Sequence, residues 1–315
     1  MRTIGDYPRA DHGRHRASRS DSKTKGAAFM RRFFPTIVAA TVVVSTLFGG
    51  VAAARENRTV PVSYLALGDS LAAGFQPDGT TGQGYVHALW RSMGQQVPGL
   101  DLRNVGCGGE TSRSLITGDH SPCTYAAGSQ LDAAVAYLGA HPGGVAFITI
   151  DIGANDVLYA CADGRTWLID KTCVAGLLPR LKARVSTIVA ALAAAAPGVP
   201  IVGMTYYDPF LGLWGSVPGG YVKAHTDQRA WSVLNGGLAS AYREAGVTVA
   251  DVAATFRIDD FTHTVVFPGR GRIPVNVARA CGWTWFCSVG DVHANRKGYA
   301  KIALTFERKL GRLLP

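Results

Sequence analysis

Four stretches of this chain put polar side chains or paired glycines where an apolar run meets a helix pattern. Gly68-Asp69-Ser70-Leu71 follows the run Val62–Leu67. Asn104-Val105-Gly106-Cys107-Gly108-Gly109-Glu110-Thr111 follows a shorter one, Leu102–Val105. Gly153-Ala154-Asn155-Asp156 follows Val145–Ile152, and Asp291-Val292-His293 precedes the last helical pattern. A serine at a strand-to-helix junction offers an exposed hydroxyl. Its own N–H lies in the first helical turn, where it has no intrahelical partner. One residue can therefore supply both an attacking oxygen and a donor for an oxyanion. Adjacent glycines let backbone approach a ligand closely and turn an N–H toward it. Asn155 can donate from its amide, and His293 can take a proton from a serine hydroxyl. Each stretch also has a plainer reading. Ser70 caps a helix, the glycines make turns, Asn155 holds a turn, and His293 lies on the surface. Four such stretches, in this order and each at a junction, favour the chemical reading.

The elements that must position these residues alternate. Strands are expected at Val62–Leu67, Leu102–Val105, Val145–Ile152, Ile201–Tyr206 and Val247–Val252. Helices are expected at Cys173–Ala196, stopped by Pro197-Gly198, at Thr226–Ala245, and at Asn295–Leu313. Strands alternating with long helices imply a parallel sheet covered on both faces, so the fold class is α/β. In such sheets ligands bind beyond the carboxyl ends of the strands. Long loops are expected at 107–128, 158–173 and 256–292. With no internal repeat and no Pro/Ser-rich linker, residues 62–315 form one domain.

The net charge is +10 over 315 residues. Residues 1–54 carry 9 Lys/Arg and 3 Asp/Glu, so +6 belongs to them and +4 to the rest. That is too little for a basic nucleic-acid face, and no nucleic-acid partner is expected. Arg31-Arg32, the apolar run 33–51 and Ala52-Ala53-Ala54 read as a signal peptide over 30–54. The alternative is an uncleaved membrane anchor, since the run is about long enough to span a bilayer. Residues 1–29 are a polar extension, and translation is expected to start at Met30. Residues 55–61 are a linker. Both readings put the domain outside the cytoplasm.

The six cysteines all follow the signal, which suits disulfides in an exported chain. Pairing sequence neighbours closes the shortest loops, giving Cys107–Cys123, Cys161–Cys173 and Cys281–Cys287. No C-x-x-C or Cys/His cluster has zinc spacing, so no metal is expected.

The four stretches together resemble the four blocks of GDSL (SGNH) hydrolases: GDS, N-x-x-x-x-G, G-x-N-D and a carboxy-terminal D/H block. Their order and spacing are similar over residues 62–308. Tyr207-Asp208-Pro209-Phe210, Leu234-Asn235, Val249-Ala250-Asp251-Val252 and Cys281-Gly282-Trp283-Thr284-Trp285-Phe286-Cys287 look like secreted actinobacterial lipases and esterases of that family. The resemblance implies a flavodoxin-like three-layer α/β/α fold with five parallel strands. It implies acyl-enzyme chemistry without a cofactor. Ser70 would be the nucleophile and His293 the general base. The Ser70 N–H, Gly109 N–H and Asn155 amide would form the oxyanion hole. Much of the family has Asp-x-x-His, whereas here Gly290 stands three residues before His293 and Asp291 two before. Asp291 is expected to orient the imidazole, with a backbone carbonyl near Gly290 as the alternative.

Asp69 and Asp156 are expected to hold their loops through backbone N–H groups. Trp283 and Trp285 either line an acyl groove or fill space beside a disulfide. Phe210, Leu211, Leu213 and Trp214 have neither helical nor strand period. An exposed loop there would suit transient contact with lipid; the alternative is a loop folded onto the core. The expected activity is a secreted, monomeric lipase or esterase. Carbohydrate O-deacetylation and a catalytically silent cell-surface binding module are the alternatives. Neither G-x-G-x-x-G nor G-x-x-x-x-G-K-[ST] occurs, so no nucleotide enzyme is expected.

Overall fold

β1 (Ser63–Gly68) is buried at every position and pairs on both sides, as its unbroken apolar run requires. The computed structural model to which it belongs describes residues 62–314. β1 is followed by α1 (Ser70–Ala73), α2 (Tyr85–Met93), β2 (Asp101–Asn104), α3 (Ser112–Thr117) and α4 (Gln130–Ala140). β3 (Val145–Asp151), α5 (Ala154–Cys161), α6 (Lys171–Ala195) and β4 (Ile201–Met204) come next. A 3-10 helix, Pro209–Leu213, leads into α7 (Gly220–Glu244), β5 (Thr248–Ala250) and α8 (Val252–Phe256). The hairpin β6 (Thr264–Phe267) and β7 (Gly271–Pro274) precedes α9 (Val275–Trp283), α10 (Phe286–Val289) and α11 (Arg296–Leu310).

The five parallel strands lie in the order β2-β1-β3-β4-β5. α4, α6 and α7 pack as one helix layer, and α2 and α11 as the other. This is the flavodoxin-like three-layer α/β/α arrangement. The chain leaves β1 toward one edge and β3 toward the other, so a crevice opens between their carboxyl ends. Ser70 lies two residues beyond β1 and Asn155 four beyond β3, both at that crevice.

Five segments differ from the sequence expectation. The stretches 107–128 and 256–292 are not simply loops: the first holds α3, the second the β6–β7 hairpin, α9 and α10. α2 and α4 were not expected at all. The apolar segment Phe210–Trp214 is not an exposed lipid-contact loop. Phe210, Leu211 and Leu213 are all but fully buried. Asp208 caps the 3-10 helix through the Phe210 N–H at 2.8 Å, turning Phe210 onto Phe286 and Trp231. Burying these rings gains more than exposing them would, at roughly 1.5–3 kcal/mol per large side chain.

Disulfides join Cys107 to Cys123, Cys161 to Cys173, and Cys281 to Cys287. Each ties one long connection to itself, limiting its freedom in the unfolded chain. Among the described residues no helix is long and apolar enough to cross a membrane. The expected extension, signal or anchor and linker, residues 1–61, lie outside the described residues.

Under the Pro209–Leu213 turn sits a buried carboxylate. Asp227 on α7 accepts the Ile169 N–H at 2.8 Å, and its other oxygen has no partner among the described residues. Burial pushes its carboxyl up to about 7. An unfolded aspartate titrates near ~3.9. Folding therefore takes up a proton at this carboxyl between these values, and its contribution to stability falls as pH rises from about 4 to about 7, then levels off. Asp227→Asn keeps an acceptor for Ile169 and removes the ionisation. It is expected to gain ~2 kcal/mol at about pH 8 and to flatten that slope. Urea unfolding at the two pH values measures it; an unchanged slope would assign the pH dependence to another group.

Candidate active site

β1 ends at Gly68, whose φ of +147° and tight contact leave no room for a side chain. A Cβ there would lie 2.3 Å from the Asp151 carboxylate. The chain then turns into α1, with Asp69 as its N-cap. One Asp69 oxygen accepts the Leu71 N–H at 2.9 Å and the other the Tyr206 hydroxyl at 2.7 Å. Ser70 is the first residue of the helix, so its N–H is one of the unpaired donors of the first turn.

Asp151, the last residue of β3, holds this turn from below. Its carboxylate accepts from the Asp69 N–H at 3.3 Å, the Ala72 N–H at 3.2 Å and the Tyr85 hydroxyl at 2.6 Å. Burial, and after it the charge of Asp69, push Asp151 well above the usual carboxylate range. Burial also raises Asp69, against its hydrogen bonds and the pull of His293. Asp151 was not singled out from the sequence. The signal was there: an acidic residue inside the apolar run Ile148-Thr149-Ile150-Asp151-Ile152 must be satisfied by buried donors.

The second wall is the glycine turn after β2. Asn104 bonds the Ala72 carbonyl at 2.8 Å and accepts the Gly106 N–H at 3.0 Å, tying this turn to α1. The space a Cβ on Gly108 would take is 3.9 Å from Ser70 Cβ. Gly109 has φ +82°, which glycine adopts without strain. Asn155, on the first turn of α5, spends one amide proton on the Glu110 carbonyl at 2.9 Å. Its second proton remains to donate into the crevice. Asp156 fixes the same corner by accepting the Ser112 N–H and hydroxyl at 2.8 and 2.6 Å.

Gln130, also not singled out, clamps the two walls. Its side chain accepts the Gly68 N–H at 2.7 Å and donates to the Gly68 carbonyl at 3.0 Å. It also donates to Glu110 at 3.2 Å. Both residues are fully buried. Burial pushes the Glu110 carboxyl up, against the hydrogen bonds it accepts.

His293 arrives on the strand-like segment before α11. Its carbonyl accepts the Trp285 N–H at 2.9 Å, and the neighbouring Val292 carbonyl accepts the Tyr207 hydroxyl at 2.9 Å. Asp291 Oδ1 lies 2.7 Å from His293 Nδ1 and also accepts the His293 N–H at 2.8 Å. A two-residue spacing thus reaches the ring because the carboxylate folds back over its own turn. Burial pushes Asp291 up, but its contacts with His293 outweigh this and hold it below the usual range. The pair's contribution to stability is therefore present above ~3.9 and is lost as pH falls through the lower folded value.

Phe75 joins the two halves. Its N–H bonds the Ser70 carbonyl at 3.0 Å, and its ring packs on the His293 imidazole at 5.2 Å. Trp285 closes the same side, its indole N–H on Gln76 at 3.2 Å. Trp283 instead packs edge-on to Phe256 on the flank. Two open hollows of about 380 and 450 Å³ lie along α8, and no candidate site residue lines either. Ser70, Gly109, Asn155, Asp291 and His293 thus gather at one end of the sheet. They set a hydroxyl, an imidazole backed by a carboxylate, and N–H donors around one crevice.

No curated protein sequence matches the chain. Among solved structures, the extracellular lipase of Streptomyces rimosus is 17% identical, covers 78% of this chain and 99% of its own, with a TM-score of 0.50. A provisionally identified GDSL-like lipase from Parabacteroides merdae is 15% identical over 80% of this chain and 96% of its own, also at 0.50. These likenesses establish the shared fold. The sequence profile of the GDSL-like Lipase/Acylhydrolase family matches residues 66–301, and the chain belongs to that family.

Proposed function

We propose that this serine ester hydrolase is exported and cleaves carboxylic acyl esters at Ser70 through an acyl-enzyme. Ser70 Oγ attacks the ester carbonyl carbon while His293 Nε2 takes its proton. The carbonyl π bond opens to an oxyanion, which the Ser70 N–H, the Gly109 N–H and the Asn155 amide stabilise. As the intermediate collapses, the carbon–alkoxy bond breaks and His293 returns the proton to the leaving alcohol. Water then repeats the sequence on the acyl-serine and releases the acid. Asp291 holds His293 with Nδ1 protonated, so that Nε2 faces the serine.

The observation that carries this reading is the carboxylate 2.7 Å behind the imidazole, with that imidazole packed on the residue bonded to Ser70. Export is supported by three disulfides, which persist in oxidising compartments, and by the charged-then-apolar order at 30–54.

Lipid esters and acetylated carbohydrate remain as two substrate readings. The burial of Phe210–Leu213 removes the feature that favoured lipid. Hydrolysis of p-nitrophenyl esters from acetate to palmitate separates them. Activity rising with chain length is the expected result for a lipase or esterase. Activity confined to acetate would make the enzyme a deacetylase. No hydrolysis of any ester by the folded, disulfide-bonded protein would overturn the reading.

A further inference from the structure

Tyr159 is a large aromatic side chain left 55% exposed near the fully buried Glu110. It stands on α5 one turn after Asn155, so both side chains leave the same helix face. Its hydroxyl comes to the glycine turn: a Cβ built on Gly109 would lie 3.0 Å from Tyr159 Oη. Gly109 and Asn155 are two of the three oxyanion donors assigned above, so this hydroxyl borders the place where an ester carbonyl would sit. Among the described residues Tyr159 Oη has no hydrogen-bond partner. The buried tyrosines nearby do have one: Tyr85 bonds Asp151 and Tyr206 bonds Asp69. An exposed ring with an unused donor at the lip of the crevice serves no packing need.

We infer that Tyr159 is a specificity residue whose hydroxyl hydrogen-bonds an oxygen on the alcohol portion of the substrate, so that the enzyme favours esters of polyols such as glycerol or a sugar. An unsubstituted acyl chain, fatty or acetyl, has no oxygen beyond its carbonyl. The carbonyl oxygen is already met by the three donors assigned above, so the oxygen that meets Tyr159 belongs to the alcohol. Partial burial, and the nearby charges of Asp69 and Glu110, raise the phenol above its ordinary value. It stays protonated and able to donate throughout the working range.

The inference rests on Ser70 being the nucleophile, and one set of assays tests the two separately. Wild type, Tyr159→Phe and Ser70→Ala are compared on glyceryl monobutyrate and ethyl butyrate, which share the acyl group. The kcat/KM ratio of the glyceryl over the ethyl ester is expected to fall about tenfold in Tyr159→Phe, the worth of one neutral hydrogen bond. Loss of packing alone would lower both rates and leave the ratio in place. An unchanged ratio overturns the inference, whatever the separate rates do. If Ser70→Ala keeps wild-type hydrolysis of both esters, the nucleophile is elsewhere and the inference falls with that reading. If it loses both while the ratio is unchanged, only the role of Tyr159 is lost.

Discussion

Ser70→Ala is expected to lower kcat for p-nitrophenyl butyrate by about 10⁴- to 10⁶-fold, and His293→Ala by a similar factor. The nucleophile and its base act as one unit. Without the hydroxyl no acyl-enzyme forms; without the imidazole the hydroxyl keeps its proton. The double variant should consequently be no slower than either single one. A residual rate above the uncatalysed one should persist, because the donors at Gly109 and Asn155 are untouched. Fluorophosphonate labelling gives an independent readout. Wild type should label at Ser70 and Ser70→Ala should not. A kcat for Ser70→Ala within tenfold of wild type would place the nucleophile on another side chain. Ser70 is half-buried and on the sheet's carboxyl edge, so the change removes one oxygen and little packing.

The second large effect is at Asp291. Asp291→Asn is expected to cost about 10³- to 10⁴-fold in kcat with KM little changed. The wild-type carboxylate can only accept. It takes the His293 N–H and the Nδ1 proton on the same oxygen, at 2.8 and 2.7 Å. An asparagine amide keeps both contacts only when its carbonyl oxygen takes that place, because its NH₂ cannot accept. If its NH₂ faces the ring, Nδ1 must accept, and the proton moves to Nε2, where a base is needed. The alternative drawn from the sequence was a backbone carbonyl near Gly290. Near-normal kcat in Asp291→Asn, alongside a dead His293→Ala, would restore that alternative. Because burial and the His293 contacts oppose one another at Asp291, a pH–rate profile of the variant is informative as well. Its acid limb should lose any contribution from this carboxylate.

The candidate residues were legible because each stands at the end of an element whose pattern is local. Gly68-Asp69-Ser70 stops an apolar run, Gly153-Ala154-Asn155 stops another, and Asp291-Val292-His293 precedes an amphipathic helix. Such positions need only the chain on either side to be recognised. The strands were legible for the same reason, as runs such as Val145–Ile152 are unbroken. What escaped was weakly patterned or depended on distant partners. α4 begins Gln130-Leu131-Asp132, just past the loop expected at 107–128, where no element was expected. The apolar segment at 210–214 has no period, so its own residues could not say whether it met solvent or core. Phe286, Trp231 and Phe261 decided that, from other parts of the chain.

The supporting groups of the site escaped for a sharper reason. Gln130 bonds a residue 62 positions away, Asp151 one 82 away, and Tyr206 reaches Asp69 across 137 positions. Nothing in a short window marks a glutamine that satisfies both backbone groups of a distant glycine. Only the closed crevice between β1 and β3 creates these distances, and burial there makes each unpaired polar group costly enough to fix its partner. By itself, the amino-acid sequence determined the fold class and the family and singled out the candidate reacting groups, because these follow from residue types at element ends. The tertiary structure alone decided that Asp291 reaches His293 across a two-residue spacing and that Gln130 and Asp151 hold the turn before Ser70. It alone buried the Phe210 segment and left the Tyr159 hydroxyl beside the Gly109 turn, because each outcome depends on which distant surfaces the parallel sheet brings together.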